Sequence, residues 1–271
     1  MKKTLKITLI LLIIVLLATP LVFIFNKNPN DNGNNNNNNN NDIVIEDEDN
    51  NTDNDIIPVD FSELKFTAFG DSITYGADLI IGTRVEKPYP TIVSEILGLK
   101  DYRNKGVSGA TLSINDDNLP TIIEQITSWT GTADIIGVLG GVNDFSMEQP
   151  LGDINSKDTT TVYGALHYIM SYLRENHSNS YIFFMTPYKL NSNKYHWTNT
   201  NLAGYKLVAV SNAIKELALL YNYPVLDLFE KGNFESVMYD EDCDGIHPNQ
   251  NFITTKMAPQ IAQFIKDNYK K

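Results

Sequence analysis

Phe66-Thr67-Ala68-Phe69-Gly70-Asp71-Ser72-Ile73-Thr74-Tyr75-Gly76 is the stretch that decides the fold. The apolar run at 64–69 is short and does not alternate with polar residues, as expected of a strand covered on both faces. It stops at Gly70, and a small polar cluster follows. A polar turn directly after a buried strand is where an open α/β sheet places its chemistry.

Working outward, the same rhythm repeats. Further strands are expected at 102–104, 135–139, 181–185 and 225–228. Helices are expected at 89–97, 119–129, 161–175, 202–221 and 253–270. In the fourth helix Leu207, Val210, Ile214, Leu217 and Leu220 recur at helical spacing. Alternating strands and helices imply right-handed crossovers and a parallel sheet. The expectation is an α/β fold: a three-layer α/β/α sandwich around a central five-stranded parallel sheet.

The 271 residues divide into three parts. Lys2, Lys3 and Lys6 precede an uncharged, mostly apolar run from 7 to 25, long enough to span a bilayer. No Ala-x-Ala cleavage site appears, so residues 1–25 read as a signal anchor in preference to a cleaved signal peptide. The leading lysines orient the remainder outward. Residues 26–60 form a linker with eight consecutive asparagines, Asn34 to Asn41, and many acids. Such a tract has too little apolar surface to offset its ordering entropy and reads as a tether. Residues 61–271 are one domain, of a size that supports a single core.

The formal charge is −12. Residues 1–55 carry four lysines and eight acids, so −8 falls on the domain. An acidic domain without a basic cluster argues against nucleic acid, and leaves the N-terminal segment as the only expected membrane contact. The single cysteine, Cys243, excludes an internal disulfide, and its acidic neighbours disfavour a thiolate. No Cys/His group has metal-ligand spacing, and no cofactor is expected.

Four short blocks carry chemistry. Gly70-Asp71-Ser72-Ile73-Thr74 presents a serine on a tight turn; alone, Ser72 reads equally well as a helix cap. Asn104-Lys105-Gly106-Val107-Ser108-Gly109 follows the second strand, and its glycines let backbone N–H groups approach a ligand. Gly140-Gly141-Val142-Asn143-Asp144 follows the third; Asn143 has an amide to donate to an oxyanion. Asp244-Gly245-Ile246-His247 places a carboxylate three residues before an imidazole, which needs such a partner to fix its tautomer. The remaining histidines, His167, His177 and His196, read as solvated bystanders.

Together and in this order, the blocks resemble those of the SGNH hydrolases, the GDSL-type esterases and lipases, over roughly residues 62–268. Ile73 stands where the family name has leucine. The resemblance implies the flavodoxin-like fold of that family and a serine esterase working through an acyl-enzyme. Ser72 would be the nucleophile, His247 the base and Asp244 its orienting acid. The N–H groups of Ser72 and Gly109 and the side chain of Asn143 would form the oxyanion hole. For the substrate, the loop 191–199, with Tyr195, Trp197 and several amides, suggests a small acyl group, such as acetyl, on an extracellular glycan. A lysophospholipase, and a catalytically silent cell-surface module, are the alternatives.

Overall fold

The computed structural model describes residues 59–115, 118–192, 194–232 and 243–270. The apolar N-terminal segment, and the linker apart from its last two residues, lie outside the described residues. Among the described residues, no helix is long and apolar enough to cross a membrane.

The elements in chain order are β1 (Lys65–Gly70), α1 (Ser72–Tyr75), β2 (Ala77–Asp78), β3 (Thr83–Arg84), α2 (Tyr89–Leu97) and β4 (Asp101–Asn104). Next come α3 (Ile122–Thr127), β5 (Ile135–Leu139), α4 (Val142–Ser146), α5 (Val162–Asn176), β6 (Tyr181–Met185) and α6 (Leu207–Tyr221). The chain ends with β7 (Val225–Leu226), α7 (Leu228–Lys231), α8 (Gln250–Phe252), a π-turn (Ile253–Met257) and α9 (Ala258–Asn268). Five strands form one parallel sheet in the order β4-β1-β5-β6-β7. Phe66 pairs with both Tyr102 and Ile135, and Gly70 with Leu139. The chain leaves β1 toward β4 on one side and later returns to β5 on the other. The reversal point therefore lies at β1, where this class of sheet opens its crevice.

Burial explains the strand composition. Phe66, Thr67, Ala68, Phe69 and Gly70 are all buried, as is all of β5. Helices α2 and α9 pack together, α5 packs on both α3 and α6, and both groups press on the sheet. Phe66 and Phe183 stack within the core, with centroids 6.5 Å apart.

Several boundaries differ from expectation for local reasons. Helix α3 starts at 122, not 119: Thr121 takes extended φ and ψ and forms a capping box with Glu124. Helix α6 starts at 207, not 202, because residues 201–205 close a turn. There Gly204 takes φ +89° and donates its N–H to Asn201 O, while Leu202 is 88% exposed. Strand β7 is short because Asp227 accepts from Glu230 N and caps α7. The last helix slips register at Pro259, which has no N–H to give; the Ala258 N–H bonds back to Ile253 O, five residues earlier. The small antiparallel pair β2–β3 was not anticipated. Its turn is fixed by Asp78, whose Oδ1 accepts from the N–H groups of Ile80 and Ile81.

Candidate active site

The first block forms as a strand-to-helix turn. Asp71 takes extended φ and ψ, and its Oδ1 accepts the Ile73 N–H at 2.9 Å, capping α1. Ser72 is thereby the first helical residue, with its side chain standing at the end of β1. Thr74, on the other side of the turn, bonds to Tyr89 OH at 3.1 Å. A Cβ on Gly70 would overlap Thr74 Oγ1 and Leu139 O, so the strand can turn here only with glycine.

The fourth block reaches Ser72 across 175 residues. His247 Nε2 lies 2.8 Å from Ser72 Oγ, and His247 Nδ1 lies 2.7 Å from Asp244 Oδ2. With Nδ1–H directed at the carboxylate, Nε2 is left to accept the serine proton. The other oxygen of Asp244 accepts the N–H groups of Ile246 (2.8 Å) and His247 (2.7 Å). Burial alone would push the Asp244 carboxyl up. The His247 ring and those backbone donors outweigh it and hold the group below the usual carboxylate range. Cys243 donates its Sγ–H to the His247 carbonyl at 2.8 Å and so props the turn. Tyr188 OH donates to Ile246 O at 2.8 Å from below.

The second and third blocks meet beside the serine. Asn143 Nδ2 donates to Ala110 O at 2.9 Å, fixing its amide next to Gly109. An amide carries two N–H donors, so one remains for a ligand. Gly109 adopts φ +81°, and nothing lies within 4 Å of where its Cβ would be. Neither the Ser72 nor the Gly109 N–H finds an acceptor among the described residues. Three donors thus stand in the loops that follow β1, β4 and β5, the first of them on the residue whose hydroxyl is already bonded to an imidazole. That arrangement can add an oxygen nucleophile to a carbonyl and hold the resulting oxyanion.

Two supporting carboxylates escaped the sequence reading, although they stand beside Ser72 and Asn143. Asp144 is fully buried and accepts from Leu112 N, Ser113 N and Ser113 Oγ at 2.8, 2.9 and 2.7 Å. It thus straps the segment after Gly109 onto α4. Burial pushes its carboxyl above the ordinary range despite these bonds. Asp71 is also fully buried, and its Oδ2 has no hydrogen-bond partner. Burial pushes its carboxyl up to about 7. Asn104, at the start of the second block, braces both neighbours. Its Nδ2 donates to Thr74 O and its Oδ1 accepts from Gly106 N.

The other histidines stand apart from Ser72, and one of them is not solvated. His167 is buried and bonds to Ile154 O, Lys157 Nζ and Tyr221 OH; its helical face turns inward because α5 is covered by α6. His177 stacks on Trp129 and His196 bonds to Thr198. In the loop after β6, Trp197 packs edge-on against Phe229 with Lys189 over its ring, so it anchors the loop.

Residues 68–251 match the pattern of the GDSL-like Lipase/Acylhydrolase family. No curated protein sequence matches the chain. Among solved structures, one similar to it is a possible lipase from Chitinophaga pinensis, 25% identical, with 76% of this chain and 98% of that one covered and a TM-score of 0.61. An aryl esterase of M. smegmatis shares the fold at 17% identity, 76% and 100% coverage and a TM-score of 0.57. A carbohydrate acetylesterase family member from Sinorhizobium meliloti does so at 17% identity, 74% and 99% coverage and a TM-score of 0.51.

Proposed function

Since the chain belongs to the GDSL-like lipase/acylhydrolase family and is a carboxylic ester hydrolase, we propose that it removes small acyl groups, acetyl foremost, from carbohydrate outside the cell, using Ser72, His247 and Asp244 as its triad. The carrying observation is the unbroken chain from Ser72 Oγ through the His247 ring to Asp244, with links of 2.8 and 2.7 Å. Ser72 Oγ attacks the ester carbonyl as His247 Nε2 takes its proton. Asp244 holds the ring and stabilises the imidazolium. The oxyanion is held by the Ser72 and Gly109 N–H groups and the second amide hydrogen of Asn143. His247 then returns the proton to the leaving alcohol. Water, deprotonated by the same imidazole, releases the acid.

Export is supported by the lysines ahead of the apolar run at 7–25. The carbohydrate assignment is supported by the loop after β6, which brings Tyr195 and several amides to the carboxyl end of the sheet. A silent binding module is disfavoured, since Ser72, Asn143, Asp244 and His247 are all present and the triad bonds are formed. A lipid ester is the second reading, and one observation favours it. Leu79, Ile80 and Ile81 are exposed at the β2–β3 tip, where Ile80 and Ile81 border a cavity of about 400 Å³ shared with Asn249, Gln250 and Asn251. A hydrolysis screen of p-nitrophenyl esters by chain length, beside acetylated oligosaccharides, separates the two. Preference for acetyl with turnover of the saccharides is expected; preference for acyl chains of roughly eight carbons or more would transfer the assignment to lipid.

A further inference from the structure

A second cleft begins one turn along α4 from Asn143. Ser146 lies three residues on, on the same helical face, and borders a cavity of about 320 Å³. This volume is at the small end of ligand pockets. Its other walls include Glu148, Lys194, Tyr195 and Asn199.

Glu148 is the residue that asks for an explanation. Helix α4 ends in a Schellman motif: Gln149 N–H donates to Asp144 O, and Glu148 N–H to Phe145 O. The residue in the left-handed position of this motif is usually glycine. Here it is Glu148, at φ +61°. A side chain is therefore kept where having one costs stability. Its carboxylate borders the cleft and accepts no hydrogen bond from any described residue.

The scaffold around it is tied down. Asn201 Nδ2 donates to Phe145 O, and its Oδ1 accepts from Tyr205 N. Tyr205 OH bonds to Gln149 O at 2.7 Å and Asp144 O at 3.2 Å. The turn carrying Glu148 and the loop facing it are thus held against each other before any ligand arrives, the condition for a pre-formed site. The lining combines a carboxylate, an amide, an ammonium and one tyrosine ring, with the Lys194 ammonium lying over one face of the Tyr195 ring at 4.7 Å from its centroid. A carboxylate and an amide suit adjacent hydroxyls, and an aromatic ring suits the C–H face of a pyranose. The acidic domain and Glu148 itself disfavour an anionic ligand; Phe145 and Leu202 also line the cleft and add apolar surface suited to the C–H faces of a sugar.

We propose that this cleft binds the sugar of an acylated saccharide, with Glu148 accepting from its hydroxyls and Tyr195 packing on its ring. The proposal rests on the carbohydrate reading above and names where that substrate is held.

The test uses the full chain, its Glu148→Gly, Glu148→Gln and Tyr195→Ala variants, and two probes: p-nitrophenyl acetate and partially acetylated xylo-oligosaccharides. Hydrogen bonds to a charged group are worth roughly tenfold or more in affinity. The ratio of kcat/KM on the saccharide to that on p-nitrophenyl acetate should fall about tenfold or more in Glu148→Gly and Tyr195→Ala, through KM. It should fall less in Glu148→Gln, which still has an amide to offer. Glu148→Gly should keep or raise the thermal midpoint, since glycine relieves the left-handed strain; a loss of binding with a gain in stability is not what a merely structural residue would show. Wild-type turnover of both probes with an unchanged ratio in the two main variants overturns the proposal alone. Wild-type turnover of p-nitrophenyl acetate but of no acetylated saccharide overturns the carbohydrate reading and the proposal with it.

Discussion

Asp71→Asn exposes the strain built into the turn that carries Ser72. Asp71 lies next to Ser72, fully buried, with Oδ1 accepting the Ile73 N–H and Oδ2 accepting nothing. Burial lifts its carboxyl from 3.8 to about 7, against the smaller pull of the Ile73 N–H and the His247 ring; the charge of Asp144 adds to the rise. The folded protein therefore keeps a proton that the unfolded chain gives up near pH 4. The stability this supplies is complete below the unfolded pKa, is lost as pH rises toward 7, and changes no further beyond it. The whole interval is worth roughly 4 kcal/mol, and about two-thirds of it, roughly 3 kcal/mol, lies between pH 5 and 8. Asparagine is permanently neutral, has nearly the same shape and can still accept the Ile73 N–H. Urea unfolding of both proteins at the two pH values isolates the effect, because every other titrating group is shared. Relative to Asp71→Asn, wild type should lose about 1 M in its urea midpoint from pH 5 to 8, given a slope of roughly 3 kcal/mol per molar. A difference between the two proteins that does not change with pH would refute the reasoning.

Three further outcomes are expected. Asn143→Ala should lower kcat by about 10²–10³ with little change in KM, read by steady-state hydrolysis of p-nitrophenyl acetate; a pure KM effect would make Asn143 a ground-state contact. Gly106→Ala should destabilise by roughly 2 kcal/mol or more, seen as a lower thermal midpoint, because a Cβ there would overlap the backbone of Thr74 and Tyr75. His247→Ala should abolish hydrolysis of p-nitrophenyl acetate while the protein stays folded, because Ser72 Oγ then loses the ring nitrogen 2.8 Å away that accepts its proton; full retained activity would contradict that role.

The parts legible in the sequence were those with local signatures. Strands β5 and β6 read directly from their unbroken apolar runs, because both faces of each are covered. The four blocks were visible because each needs glycine or a small polar residue at a fixed place. What the sequence could not display was pairing across the chain. Asp71 and Asp144 look like ordinary loop acids until the fold buries them, one under the Ser72 turn and the other beneath Leu112 and Ser113. His167 looks like a surface residue of an amphipathic helix until Tyr221 and Ile154 close over it. The apolar pattern overstates α6, because Leu202 continues it while Gly204 ends it. The turn at 201–205 instead forms one side of the second cleft. Trp197, the most conspicuous aromatic in its loop, packs against Phe229, while Tyr195, with Lys194 over one face of its ring, borders the cleft.

Activation of Ser72 by His247 as a nucleophile is tested by treating the protein with a fluorophosphonate probe and locating the adduct by mass spectrometry, with Ser72→Ala in parallel. The expected result is one covalent label on Ser72, loss of ester hydrolysis in step with labelling, and a folded, unlabelled and inactive Ser72→Ala protein. A label on another residue, or full ester hydrolysis by Ser72→Ala, would contradict it.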